Sequence, residues 1–140
     1  MSSLNREIHN LAELQQWVDA FLMEVKTPSI ISVFGEMGAG KTTTIAMICR
    51  SLGYNFAGSP TFALVQEYRA DHKPTIFHFD LYRVQDIHEL IDMGFEEYLD
   101  QNALIFIEWP QIAETFLKEN TRNLRITETS GIRQMMLTMD

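Results

Sequence analysis

The 140-residue sequence has a single cysteine and no long apolar run. Because Cys49 has no partner, no internal disulfide can form, and its apolar neighbours predict a buried and unreactive thiol. No apolar stretch approaches the roughly 20 residues that a membrane-spanning helix requires. The first residues also lack the apolar core of a signal peptide. We therefore expect a cytoplasmic protein that makes no use of a membrane.

Basic residues are also scarce, with 11 Lys and Arg against 19 Asp and Glu and a net charge of −8. Nucleic-acid binding normally needs a basic face, because neutralising phosphates and releasing counterions supplies most of the affinity. The composition therefore argues against tight, direct binding of nucleic acid by the surface as a whole. Apolar residues make up 46% of the sequence, which is enough to fill one core, and we expect residues 1–140 to form a single domain.

The spacing of apolar residues predicts an α/β fold with both parallel and antiparallel strand pairs. Asn10 is a plausible N-cap for the first helix, with Glu13 three residues further on. The predicted helices cover about 11–25, 41–52, 86–100 with an interruption at Gly94, and 111–118. The predicted strands cover about 6–9, 30–34, 62–69, 75–79, 103–107, 122–128 and 132–138.

One glycine-rich segment between a predicted strand and a predicted helix carries the strongest functional signal. It reads Gly35-Glu36-Met37-Gly38-Ala39-Gly40-Lys41-Thr42, followed by Thr43, and satisfies G-x-x-x-x-G-K-[ST] without a mismatch. The glycines let backbone N–H groups surround a phosphate, and the positive end of the helix dipole points at the same place. We expect Lys41 to reach the outer phosphates and the Thr42 hydroxyl to ligate Mg²⁺. No N-K-x-D motif favours GTP, so the expected nucleotide is ATP or ADP.

Two apolar strands end in an acidic residue, Asp80 and Glu108. Magnesium takes oxygen ligands and usually recruits a carboxylate near a P-loop. We expect one of the two to hold the metal, directly or through water, and the other to orient or deprotonate the attacking water. Which of the two residues has which role stays open.

Three further residues near these strands allow two interpretations each. His78 would share the strand face of Asp80, where it either supports the acid or simply packs. Arg83 either neutralises charge on the outer phosphate or is an exposed arginine. Trp109 either covers the nucleotide or a partner, or packs in the core. The four histidines have no metal-ligand spacing, which argues against a metal site beyond magnesium.

Four segments together resemble one family. They are Gly35–Thr43 (GEMGAGKTT), Ser59–Tyr68 (SPTFALVQEY), His78–Arg83 (HFDLYR) and Ile107–Pro110 (IEWP). Their order and spacing from about residue 30 to 110 are similar to those of the bacterial TsaE (YjeE) proteins. The resemblance implies a P-loop NTPase-like, three-layer fold, in which helices flank a mixed sheet with antiparallel strands.

The same resemblance implies an ATPase needed for the threonylcarbamoyladenosine modification of tRNA, at the adenosine next to the anticodon. Its partner would be a threonylcarbamoyl transferase with TsaD-type and TsaB-type subunits, which would hold the tRNA, so that this chain meets tRNA only indirectly. The family's threonine of SPTF corresponds to Thr61, its HxDLYR aspartate to Asp80, and its EWP glutamate and tryptophan to Glu108 and Trp109. Lys41, Thr61, Asp80 and Glu108 are then the expected catalytic residues.

Two other function classes remain as alternatives. A small-molecule kinase would need an acceptor pocket and a closing lid, and the sequence has no arginine-rich lid. A non-hydrolysing switch would use the bound nucleotide only to control docking to a partner. Phosphorylation of a small product would favour the first, and equal activation by a non-hydrolysable ATP analogue would favour the second.

Overall fold

A computed structural model describes residues 4–60 and 63–139. Its seven strands form one sheet in the order β1-β7-β6-β2-β5-β4-β3. The strands are β1 (Arg6–Ile8), β2 (Ser29–Phe34), β3 (Val65–Tyr68), β4 (Thr75–Asp80), β5 (Ala103–Glu108), β6 (Arg122–Thr129) and β7 (Ile132–Thr138). The helices are α1 (Leu11–Glu24), α2 (Lys41–Ser51), α3 (Ile87–Asp92) and α4 (Phe95–Leu99), with a 3₁₀ helix at Pro110–Phe116.

The sheet is mixed, as predicted. Strand β2 pairs in parallel with β5 and β6, and β4 pairs in parallel with β5. The hairpins β3–β4 and β6–β7 and the outer pair β1–β7 are antiparallel. All six residues of β5 are buried, because this central strand is covered on both faces.

Helices cover both faces of the sheet and so create two apolar cores. On one face α1 and α2 pack over alternate residues of the central strands, among them Ile31 and Phe106. On the other face α3, α4 and the 3₁₀ helix pack over the intervening residues, among them Ile105 and Phe79. The result is the α/β sandwich of three layers that the sequence predicted. Within the described ranges, no helix is both long enough and apolar enough to cross a membrane.

Most of the predicted elements are confirmed to within one or two residues. Helix α1 begins where predicted, since the Asn10 side chain accepts a hydrogen bond of 2.9 Å from the Glu13 backbone N–H. The break at Gly94 separates α3 from α4. The predicted hairpins at 62–79 and 122–138 both form, the second turning at Ser130 and Gly131 as expected.

One element boundary was predicted wrongly. Of the strand expected over 62–69, Phe62 lies outside the described residues. The strand begins at Val65, because Leu64 has a left-handed φ of 65° and its N–H donates back to the Pro60 carbonyl. The short helix expected near 111–118 forms over Pro110–Phe116, as a 3₁₀ helix.

Candidate functional site

The P-loop joins β2 to α2 at the carboxyl ends of the parallel strands. Gly40 caps α2 with a left-handed φ of 107°, and its carbonyl accepts hydrogen bonds from the Thr44 backbone N–H at 3.0 Å and the Thr44 hydroxyl at 2.8 Å. A Cβ at Gly35 would lie 2.8 Å from the Ile126 carbonyl oxygen, so only glycine fits beside β6. The loop is therefore held between β6 and the first turn of α2.

A cavity of about 430 Å³ lies between this loop and the ends of β4 and β5. Six predicted P-loop residues line it, namely Met37, Gly38, Gly40, Lys41, Thr42 and Thr43. Three predicted residues from the strand ends also line it, namely Asp80, Glu108 and Trp109. Residues about 30 to 70 positions apart in the chain thus meet around one space that can take a phosphate chain.

A second cavity of about 510 Å³ lies on the other side of the loop, toward the end of β6. The remaining predicted P-loop residues, Gly35, Glu36 and Ala39, line it. Trp109 borders both cavities, and Ile126 adds an aliphatic surface to this one. The prediction for Thr61 falls on a residue that lies outside the described ranges.

Lys41 is the buried cation of the site, with only 6% of its surface exposed. Its Nζ lies 3.8 Å from the centre of the Trp109 indole ring, which is a cation–π contact. Burial lowers the pKa of Lys41, while the nearby carboxylates Glu108 and Asp80 act in the opposite direction. A further anion in the cavity would favour the charged ammonium in the same way as these carboxylates do.

The two acidic residues lie side by side, because Asp80 and Glu108 are register partners on β4 and β5. Glu108 is 2% exposed, and its Oε2 lies 2.6 Å from Nε2 of the fully buried His78. Asp80 is half-buried, and its Oδ1 accepts a hydrogen bond of 3.1 Å from the Tyr82 backbone N–H. Of the two interpretations of His78, the structure favours support of an acid, although the acid it contacts is Glu108 rather than Asp80.

Trp109 lies at the wall of the cavities and belongs to neither apolar core. Its backbone is left-handed, with φ 55° and ψ 58°, which is uncommon for a bulky residue. Its ring is 5.0 Å from that of Tyr82, which is 57% exposed. The structure therefore favours the covering role over core packing for this side chain.

The oxygen atoms of the side chains at the cavity would suit a magnesium ion that is bound together with phosphates. The Thr42 hydroxyl lies 3.3 Å from the Ser59 hydroxyl, and Asp80 and Glu108 line the same space. Across residues 4–60 and 63–139, no three His, Cys, Asp or Glu side chains converge as a metal site. Most ligands of the ion would therefore have to come from phosphate and water, as is usual for magnesium at nucleotide sites.

Three residues that line the 430 Å³ cavity were not predicted as site residues. Ser59 and Tyr82 stand inside the SPTF and HxDLYR segments, so those segments could have indicated them. Arg133 reaches the cavity from β7, and no local motif marks it. Arg83 also lines the cavity, which is compatible with the charge-neutralising interpretation.

Comparison with known proteins identifies the family. A sequence model described as "Threonylcarbamoyl adenosine biosynthesis protein TsaE" matches residues 8–135. The chain belongs to the TsaE family. A TsaE of Rickettsia prowazekii is 38% identical over 125 residues, which cover 84% of this chain and 78% of the relative. A TsaE of Haemophilus influenzae is 38% identical over 101 residues, which cover 70% of this chain and 63% of the relative.

The match to a third relative, the TsaE of Rickettsia felis, is 36% identical and covers 79% of this chain but only 64% of that relative's length. Each of these relatives carries the name "tRNA threonylcarbamoyladenosine biosynthesis protein TsaE". The crystal structure of Bacillus subtilis YdiB superposes with a TM-score of 0.79 over 98% of this chain and 86% of YdiB, at 21% identity. That similarity shows a shared P-loop NTPase-like fold.

Proposed function

We propose that this TsaE-family chain is a single P-loop ATPase domain that serves the threonylcarbamoyladenosine modification of tRNA in the cytoplasm. The observation that carries the proposal is the meeting of Lys41, Thr42, Asp80 and Glu108 around one cavity at the P-loop. The pathway, threonylcarbamoyladenosine biosynthesis, is the one that the description of the family names. The modified position is the adenosine next to the anticodon.

The two cavities suit the two ends of ATP. The polar cavity, with Lys41 and the first turn of α2, would take the phosphates, because backbone N–H groups and a buried cation favour negative charge there. The neighbouring cavity has aromatic and aliphatic walls from Phe34, Trp109 and Ile126, and would take the base. We infer that Trp109 marks the boundary between them.

Hydrolysis would transfer the outer phosphoryl group to water, with rupture of its bond to the bridging oxygen. Lys41 would neutralise charge on the phosphate oxygens, and Thr61 would sense the outer phosphate. Magnesium held by Thr42 and a carboxylate would supply further charge neutralisation. Glu108, fixed by His78, is suited to orient the attacking water and accept its proton. Asp80 is less buried than Glu108 and is suited to hold the magnesium ion, directly or through water.

The expected partner is a threonylcarbamoyl transferase with TsaD-type and TsaB-type subunits. The net charge of −8 supports an arrangement in which the transferase holds the tRNA and this chain contacts it only indirectly. ATP turnover would reset the transferase between cycles, and turnover by the isolated chain is expected to be slow.

The test measures MgATP binding by calorimetry and phosphate release by the wild type and by Lys41→Ala, Asp80→Asn and Glu108→Gln. Loss of the Lys41 charge should weaken binding by about tenfold or more. The two acid variants should bind ATP and lose about 100-fold in turnover. Lys118→Ala, a surface lysine paired with Asp100, is the matched control and should change neither quantity. Turnover that survives both acid changes would contradict the mechanism.

Two further measurements separate the alternatives. A small-molecule kinase would release little phosphate from ATP and would yield a phosphorylated metabolite instead. A non-hydrolysing switch would bind MgATP and activate the transferase equally well with a non-hydrolysable analogue over many turnovers.

A further inference from the structure

One arginine from β7, the strand next to the outer strand β1, reaches the P-loop. Arg133 is the second residue of β7, and its side chain lies against Gly40 at the start of α2. A Cβ at Gly40 would lie 2.6 Å from Nε, 3.0 Å from Cζ and 3.1 Å from Cδ of Arg133. The guanidinium group thus occupies the space that a side chain at position 40 would need. Gly40 is favoured here by its left-handed φ, and its lack of a side chain leaves room for this contact.

The polar contacts of this guanidinium group are incomplete in the described part of the chain. Its Nε is shut off from solvent and has no hydrogen-bond partner there. Its register neighbour on β6 is Glu128, whose Oε1 accepts instead from the Gly131 backbone N–H at 2.7 Å. A buried donor without an acceptor is unfavourable, and in native proteins such a group usually has a reason.

An anion bound in the neighbouring cavity could supply acceptors for this guanidinium group. Arg133 lines the same cavity as Lys41 and Thr42, on the P-loop side. A phosphate chain there would bring several anionic oxygens to a planar group with five N–H donors in a fixed arrangement. Lys41 approaches that space from α2, and Arg133 approaches it from β7. The two cations therefore come from elements more than 90 positions apart in the sequence.

We propose that Arg133 is a phosphate-binding residue that completes the nucleotide site from the β6–β7 hairpin. The proposal rests on the proposed nucleotide function and adds a ligand from outside the P-loop. It implies that the nucleotide connects the P-loop to the hairpin and, through the β1–β7 pairing, to the outer strand of the sheet. Binding should then stabilise this edge of the fold as well as the P-loop.

The test compares MgADP affinity, measured by calorimetry, in the wild type, Arg133→Met, Arg133→Lys and Arg50→Met. Methionine keeps an apolar stem beside Gly40 and removes the guanidinium group. We expect Arg133→Met to weaken binding at least tenfold and Arg133→Lys to recover part of that loss, because lysine keeps the charge without the planar donors. Arg50 is exposed on the last turn of α2 and serves as the matched control, with affinity unchanged.

Two further readouts separate this role from a structural one. The melting temperature of the ligand-free Arg133→Met chain should equal or exceed that of the wild type, since an unpaired buried donor has been removed. The increase in melting temperature on adding MgADP should be smaller for Arg133→Met than for the wild type. An unchanged affinity, or a weaker affinity fully explained by a lower melting temperature without ligand, would overturn the proposal. If the wild type itself does not bind MgADP, the proposed function fails first.

Discussion

His78 and Glu108 form a buried pair beside the cavity at the P-loop, with 2.6 Å between Nε2 and Oε2. The side chains are 0% and 3% exposed, so water does not compete for this contact. The ring of Phe56 stacks on the imidazole at 6.1 Å between centroids, which limits its rotation. The direction of the Glu108 carboxylate is therefore set by the protein before any nucleotide arrives.

Replacing His78 with Phe should damage turnover more than binding. An aromatic ring is kept at this position, but the Glu108 carboxyl group loses its partner, which should lower the free energy of unfolding by about 1–3 kcal/mol. Turnover should fall on the order of tenfold or more, because small displacements of a reacting group are costly. Phosphate release, MgADP affinity and urea unfolding measure the three quantities.

His78→Gln keeps a hydrogen-bond donor for Glu108 and should recover part of the lost turnover. MgADP affinity should be unchanged in both His78 variants. His88→Phe makes the same chemical change at a side chain that is 76% exposed, and is the control. Equal losses of affinity and turnover in His78→Phe would show that the pair serves folding and not the position of Glu108.

The contact between Lys41 and Trp109 predicts an optical signal for nucleotide binding. Bound phosphates should draw Nζ away from the indole, which it now faces at 3.8 Å, and so change the emission of Trp109. The other tryptophan, Trp17, lies on the buried face of α1, and its indole N–H donates to the Leu4 carbonyl at 2.9 Å. A MgADP titration should change the fluorescence of the wild type and of Trp17→Phe, but not of Trp109→Phe. A response that persists in Trp109→Phe would place the signal elsewhere.

Cys49 should be unreactive in the folded protein. Burial raises the pKa of its thiol from 9.0 to about 12. A thiol reagent at pH 8 should therefore label the chain only after unfolding in denaturant. Because the folded-state pKa is the higher one, this thiol favours folding below pH 9, and its contribution is lost as the pH rises toward 12. Rapid labelling of the native chain at pH 8 would contradict its burial.

The sequence was most informative where short-range rules decide the structure. The side chain of Asn10 and the backbone of Glu13 define a helix start within four residues, and Ser130-Gly131 defines a hairpin turn. The P-loop motif likewise lies within one continuous segment. These features need no knowledge of the distant parts of the chain, and the structure has them where they were predicted.

Features that depend on distant contacts were not predictable in the same way. Nothing near Arg133 indicates a functional site, because its approach to Gly40 depends on how β7 is placed in the sheet. The pairing of His78 with Glu108 depends on the register of β4 against β5. One missed feature is local: β3 starts at Val65 because of the left-handed turn at Leu64, a conformation that a residue with a β-carbon rarely adopts.

The most direct measurement of the central claim is MgATP hydrolysis by this chain, alone and with the TsaD-type and TsaB-type transferase subunits of the same organism. We expect slow turnover by the chain alone and stimulation of about tenfold or more by the two subunits. The stimulated turnover should be lost in Lys41→Ala and in Glu108→Gln. No stimulation, with tight MgADP binding intact, would contradict the partner-dependent ATPase and leave only a nucleotide-binding protein of the TsaE family.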